Sequence, residues 1–65
     1  MIIVNGQSEA GAVGLTIADF LRQRKAPIEN IVVEKNGEIV HRADFEAVKI
    51  VENDHLELIS FVGGG

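Results

Sequence analysis

The 65-residue chain contains no cysteine, tryptophan or tyrosine, and only one proline and one methionine. Without cysteine there is no disulfide to staple a small fold, no thiol nucleophile, and no clue to redox compartment. The two histidines, His41 and His55, cannot complete a four-ligand zinc site without carboxylate help, so no metal is expected. Basic residues are also scarce. Six Lys and Arg face ten Asp and Glu, for a net charge of −4. Binding to a phosphate backbone needs a basic patch, and the only cluster is Arg22, Arg24 and Lys25. Its plain reading is a set of solvated cations complementing the dipole at the end of a helix, so nucleic acid is not expected as a partner. No apolar run approaches the roughly 20 residues of a membrane span, and no charged-then-apolar leader precedes the first strand-like run. The expectation is no membrane and a cytoplasmic location.

What remains is one small domain. A chain of this length buries only about 60% of the surface its unfolded form exposes, so nearly every apolar residue must be used. Apolar residues make up 46%, mostly aliphatic, with three Phe.

The apolar run at residues 1–4 is followed by Asn5-Gly6, the strongest short hairpin signal, which predicts a second strand over about 7–12. Gly14 marks a loop. Thr16 reads as a helix N-cap, with Asp19 as the acidic half of a capping box. Ile17, Phe20 and Leu21 share one helical face, and Pro27 predicts a stop near Ala26. A third strand is expected over 31–34. A second Asn-Gly turn at Asn36-Gly37 leads into a short strand at Ile39 and Val40. Residues 41–47 suggest a loop or helical turn pinned by Phe45. A further short strand is read at 48–51, a turn at Glu52-Asn53-Asp54, and the last strand at 56–62. One helix covers one face of a mixed sheet, which makes an α+β two-layer roll. Parallel pairing of the first and last strands gives the β-grasp (ubiquitin-like) arrangement: four to five strands with one main helix. The expected division is a β-grasp domain at 1–62 and a flexible glycine tail at 63–65.

No catalytic constellation is visible. Gly11 and Gly14 resemble a phosphate loop only faintly, because Leu15-Thr16 stands where a P-loop carries Lys-Ser/Thr. The carboxylates are scattered, and His55 reads as a solvated turn residue. The three terminal glycines are different. They gain nothing by packing, and on an extended backbone they form a tip of roughly 10 Å able to thread a narrow channel. With no Cβ nearby, the Gly65 carboxylate is accessible to a reactant. Adenylation would convert it to a mixed anhydride, and a sulfur nucleophile would turn that into a thiocarboxylate. A frayed terminus would carry the same residues.

Met1-Ile2-Ile3-Val4-Asn5-Gly6, Thr16-Ile17-Ala18-Asp19-Phe20-Leu21, the hairpin over 31–40 and the ending Phe61-Val62-Gly63-Gly64-Gly65 together resemble the ThiS family, the sulfur carriers of thiamin thiazole biosynthesis. The resemblance covers the whole chain. Each internal motif is weak alone, and the glycines after a final strand are the specific part. The family's minimal ending is two glycines, so the third leaves open which of Gly63 and Gly64 is strictly required. The resemblance implies a co-substrate and not a catalyst, binding no cofactor itself. An E1-like adenylating enzyme would activate Gly65 with Mg-ATP, and a sulfurtransferase or cysteine desulfurase would supply sulfur. Thiazole synthase would then receive it, with Gly63 and Gly64 threading the partner's active site. Alternation along the last strand puts Ile59 and Phe61 on the open side of the sheet, joined by Ile3, as a partner-docking patch. A register slip of one residue would make these three core instead. Carriers of the same fold serving molybdopterin synthesis, ubiquitin-like modifiers and plain β-grasp binding modules share these features. The chain's shortness favours the thiamin carrier over the molybdopterin one.

Overall fold

The computed structural model describes residues 1–61. Its strands are β1 (Ile2–Val4), β2 (Gln7–Glu9), β3 (Ile31–Lys35), β4 (Glu38–Val40) and β5 (His55–Ser60), and its one α-helix is α1 (Ile17–Gln23). Short 3₁₀ turns occupy Ile28–Asn30 and Arg42–Asp44. The sheet order is β2-β1-β5-β3-β4, with five strands.

Both Asn-Gly pairs make the two-residue hairpin turns they signal. Asn5 and Gly6 take φ of 49° and 84°, Asn36 and Gly37 take 54° and 86°, and the strands close at Val4↔Gln7 and Lys35↔Glu38. Positive φ at both central residues matches the right-handed twist of the flanking strands. β1 and β5 run parallel at the centre, with Ile3 opposite His55 and Val4 opposite Leu56. β3 pairs antiparallel with β5 on its other side. β2 is shorter than the expected 7–12. It ends at Glu9, and Ala12 turns into the core.

The helix starts as its sequence requires. The Thr16 hydroxyl accepts from the Asp19 N–H at 3.1 Å. The Ile17 and Ala18 N–H groups donate to the carbonyls of Val48 and Phe45, and the Phe20 N–H bonds back to Thr16. All the otherwise orphaned donors of the first turn are thereby satisfied inside the fold. The Asp19 carboxylate accepts instead from Arg22 at 2.7 Å, so only half of the expected capping box forms. The helix also ends earlier than Pro27 demands. Lys25 adopts φ 55°, its N–H bonds the Arg22 carbonyl and the Ala26 N–H bonds the Leu21 carbonyl. This is a Schellman motif with lysine where glycine is usual.

The core lies between the helix and one sheet face. Ile17, Ala18, Phe20 and Leu21 meet Ile2, Val4, Ile31, Val33 and Leu56, with Phe45 and Ile50 closing the ends. Phe45 pins the 41–47 segment as expected. Residues 48–51 do not form a strand. Lys49 makes one isolated bridge to Thr16, and Ile50 is buried beside it. The basic cluster is exposed at the helix end, as expected, and two of its members are also paired. Arg22 pairs with Asp19 and Glu46, while Arg24 makes two bonds to Glu9 (2.8 and 3.1 Å) and lies 4.8 Å over the Phe20 ring.

Candidate functional site

The strand that leads toward the terminal glycines is β5, and the structure grips it from several directions. β3 pairs with it from Leu56 to Ser60, and the Phe61 N–H extends that pairing by donating to the Asn30 carbonyl at 2.9 Å. β1 pairs only as far as Leu56, because the chain turns away at Asn5. There the Asn5 side chain takes over. Its Oδ1 accepts from the Leu58 N–H at 2.8 Å, while its backbone N–H donates to the Leu56 carbonyl. Asn36 acts similarly at the start of β5. Its Oδ1 accepts from His55 N–H and its own N–H donates to the His55 carbonyl.

Beneath that start lies Asp54, the one buried charged residue among those described. It accepts from the Val51 N–H and the Asn36 amide, both at 2.9 Å, and the Lys35 ammonium stands 3.4 Å away. Burial pushes the Asp54 carboxyl upward. The donors of Val51 and Asn36 and the Lys35 charge outweigh it, holding the group below the usual carboxylate range.

On the outer face of β5, Ile59 and Phe61 are 50% and 46% exposed, while Leu56 is buried and Leu58 half-buried toward the helix. Ile3 is half-buried, with Ile2 and Val4 inward. The register adds residues that alternation along one strand could not supply. Val32 lies opposite Ile59, and Ile39, 59% exposed, lies opposite Glu34. The open face is thus an apolar strip of Ile3, Val32, Ile39, Ile59 and Phe61. Glu34 and Glu57 sit directly across from each other within it. Like charges directly opposite on one face work against the sheet, so this pair costs stability where it stands.

Gly63, Gly64 and Gly65, the expected threading tail and reactive carboxylate, lie outside the described residues. Among the described residues no group of three or more His, Asp or Glu could hold a metal ion. No helix there is long and apolar enough to cross a membrane.

The ThiS family model matches residues 2–65. The sulfur carrier protein ThiS of Bacillus subtilis is 34% identical over 50 residues, covering 77% of this chain and 76% of that one. A crystal structure of the thiamine biosynthesis protein ThiS from Geobacter metallireducens superposes with a TM-score of 0.80 at 36% identity, over 98% of this chain and 97% of that one. Thiazole synthases of Paramagnetospirillum magneticum and Magnetococcus marinus are 28% and 33% identical over 64 residues. The chain spans 20% of the length of each of these two enzymes.

Proposed function

This chain belongs to the ThiS family, and from that premise we propose that it is a sulfur carrier for the thiazole of thiamin, working through the carboxylate of Gly65. The carrier is a co-substrate that partner enzymes modify. In the first step the Gly65 carboxylate attacks the α-phosphorus of ATP, held with Mg²⁺ by an E1-like partner, and pyrophosphate leaves. In the second, the outer sulfur of a persulfide on a sulfurtransferase or cysteine desulfurase displaces AMP to form an acyl disulfide. A second thiol of a partner enzyme then attacks the partner's sulfur of that bond, leaving a disulfide on the partner and a thiocarboxylate on the chain. Thiazole synthase then takes the sulfur, and the carboxylate is regenerated. The chain itself needs no cofactor for this. The setting is the cytoplasm.

The observation that carries the reading is the treatment of β5. Its backbone is held as far as Phe61, one residue before Val62-Gly63-Gly64-Gly65, beside an exposed apolar strip. A held strand delivers its end to a fixed position relative to a docked partner, and the apolar strip with its two carboxylates supplies the docking area. Similarity to a segment of two thiazole synthases supports that enzyme as one partner. Gly63 and Gly64 are the residues proposed to enter the partner's channel, and Ile3, Ile59 and Phe61 the residues proposed to dock.

Thiazole formation with purified thiazole synthase and thiocarboxylated chain tests the reading. Ile59→Asp and Phe61→Asp, both at exposed positions, should lower yield at limiting carrier while urea midpoints stay close to the parent's. Unchanged yield from both variants would remove the open face from the account, and no thiazole from the parent chain would remove the pathway.

A further inference from the structure

The two Asn-Gly turns share one backbone conformation, and their asparagine side chains are held differently. Asn36 is held at both ends of its amide: Oδ1 accepts from His55 N–H, and Nδ2 donates to the Asp54 carboxylate at 2.9 Å. Asn5 is held at one end only. Its Oδ1 accepts from Leu58 N–H, and no described residue accepts from its NH₂ group. Both asparagines are exposed, and beyond the adjacent residues nothing lies within 4 Å of where a Cβ on Gly6 or Gly37 would stand. Neither glycine's N–H donates to a described backbone carbonyl. Each turn therefore sets an exposed asparagine before a glycine whose nitrogen donates to no described backbone carbonyl and whose Cα carries no side chain.

That arrangement has a chemical consequence. We propose that Asn5 is a site of spontaneous deamidation in the folded protein, and that Asn36 is protected from the same reaction by Asp54 and His55. The Gly6 nitrogen attacks the Asn5 side-chain carbonyl carbon. A C–N bond forms, the bond from Cγ to Nδ2 breaks, and ammonia leaves with the proton from the Gly6 nitrogen. Water then opens the five-membered imide at either carbonyl, giving aspartate or isoaspartate with no change of oxidation state. The Leu58 N–H polarises the Asn5 carbonyl and leaves its NH₂ group able to depart. At Asn36 the departing group is tied to a buried carboxylate, and the amide plane is fixed at both ends. A charge-assisted hydrogen bond of that kind must be broken before the reaction starts.

The product matters to β5. Aspartate at position 5 keeps an oxygen for the Leu58 N–H. Isoaspartate inserts a methylene into the backbone of a two-residue turn, shifting β1 against β2 and withdrawing the side-chain grip on β5. The site is thus a clock on the strand nearest the glycine tail.

The test is incubation of the full folded chain in mildly alkaline buffer, then digestion with trypsin under mildly acidic conditions and mass spectrometry. Residues 5 and 36 fall in separate peptides, 1–22 and 36–42. Each event adds about one dalton, and electron-transfer fragmentation separates aspartate from isoaspartate. The expected result is modification of Asn5 at least about tenfold faster than Asn36 in the folded chain, with comparable rates in urea. Asp54→Ala should bring Asn36 toward the Asn5 rate. Equal rates in the folded parent would overturn the proposal, as would an Asn5 that reacts only in urea. Both readings need only the parent chain, whether or not the Asp54 variant folds.

Discussion

Replacing Asp54 by asparagine should cost this small domain a large part of its stability, and should flatten its response to acid. The carboxylate is 3% exposed and accepts from two donors at 2.9 Å, with the Lys35 ammonium at 3.4 Å. An asparagine of the same shape keeps one carbonyl oxygen. It can accept from Val51 or from Asn36, and its NH₂ group then faces the other donor. The loss is about one charge-assisted hydrogen bond plus a partly screened ion pair, together about 2–3 kcal/mol. A chain of this length holds roughly 3–10 kcal/mol in total, so the loss is not marginal. With a urea m-value of about 1 kcal/mol/M, the midpoint should fall by about 2–3 M. The pH dependence has a definite sign. The folded-state pKa of Asp54 lies below the unfolded value, so its contribution is complete above the ordinary aspartate pKa of about 3.9. It is lost as pH falls through the lowered folded value. Parent and variant should therefore differ most at neutral pH and converge in strong acid. Equilibrium urea unfolding across pH, followed by far-ultraviolet circular dichroism, reads both effects. A variant as stable as the parent at pH 7, or a gap that widens toward acid, would refute this account of Asp54.

Lys25→Gly should raise stability by about 1 kcal/mol, because it removes a side chain from a left-handed backbone position at the helix end; thermal unfolding checks it, and a loss would contradict the motif. Glu57→Lys should add about 0.5 kcal/mol by replacing a like-charge cross-strand pair with an opposite one. The same change should slow association with thiazole synthase at low salt, measured by stopped flow, if the two carboxylates steer docking. A faster association would show that they do not.

The parts of this molecule readable from sequence are those written in local chemistry. Asn-Gly twice, Thr16 before an apolar helical face, and Phe45 alone in a polar stretch each encode their own conformation. The parallel β1–β5 pair followed from one helix joining two apolar strands. What escaped depends on partners distant in sequence. Glu52-Asn53-Asp54 reads as a turn, and forms one, but its sequence does not reveal that Asp54 is buried, because Asn36, 18 residues away, arrives above it. Lys25 ends the helix where a local reading looks to Pro27, since lysine is not the usual left-handed residue. The Val-Lys-Ile-Val segment at 48–51 pairs only with the short stretch around Thr16 and makes one isolated bridge there, so its strand propensity has no ladder to express. At the open face, the parity of Ile59 and Phe61 was visible along β5. Val32 and Ile39 join them through the registers of β3 and β4, which no single strand records. Gly63 to Gly65 read as the candidate reactive end from their place after a final strand together with the family resemblance, and they lie outside the described residues.

The central claim is that the Gly65 carboxylate carries sulfur. Intact mass of the chain after incubation with an E1-like adenylating enzyme, Mg-ATP and a sulfur donor tests it most directly. The account predicts replacement of one oxygen by sulfur, located at Gly65 by fragmentation and absent when Gly65 is deleted. An unchanged mass, with the same enzyme shown to load another carrier, would contradict it.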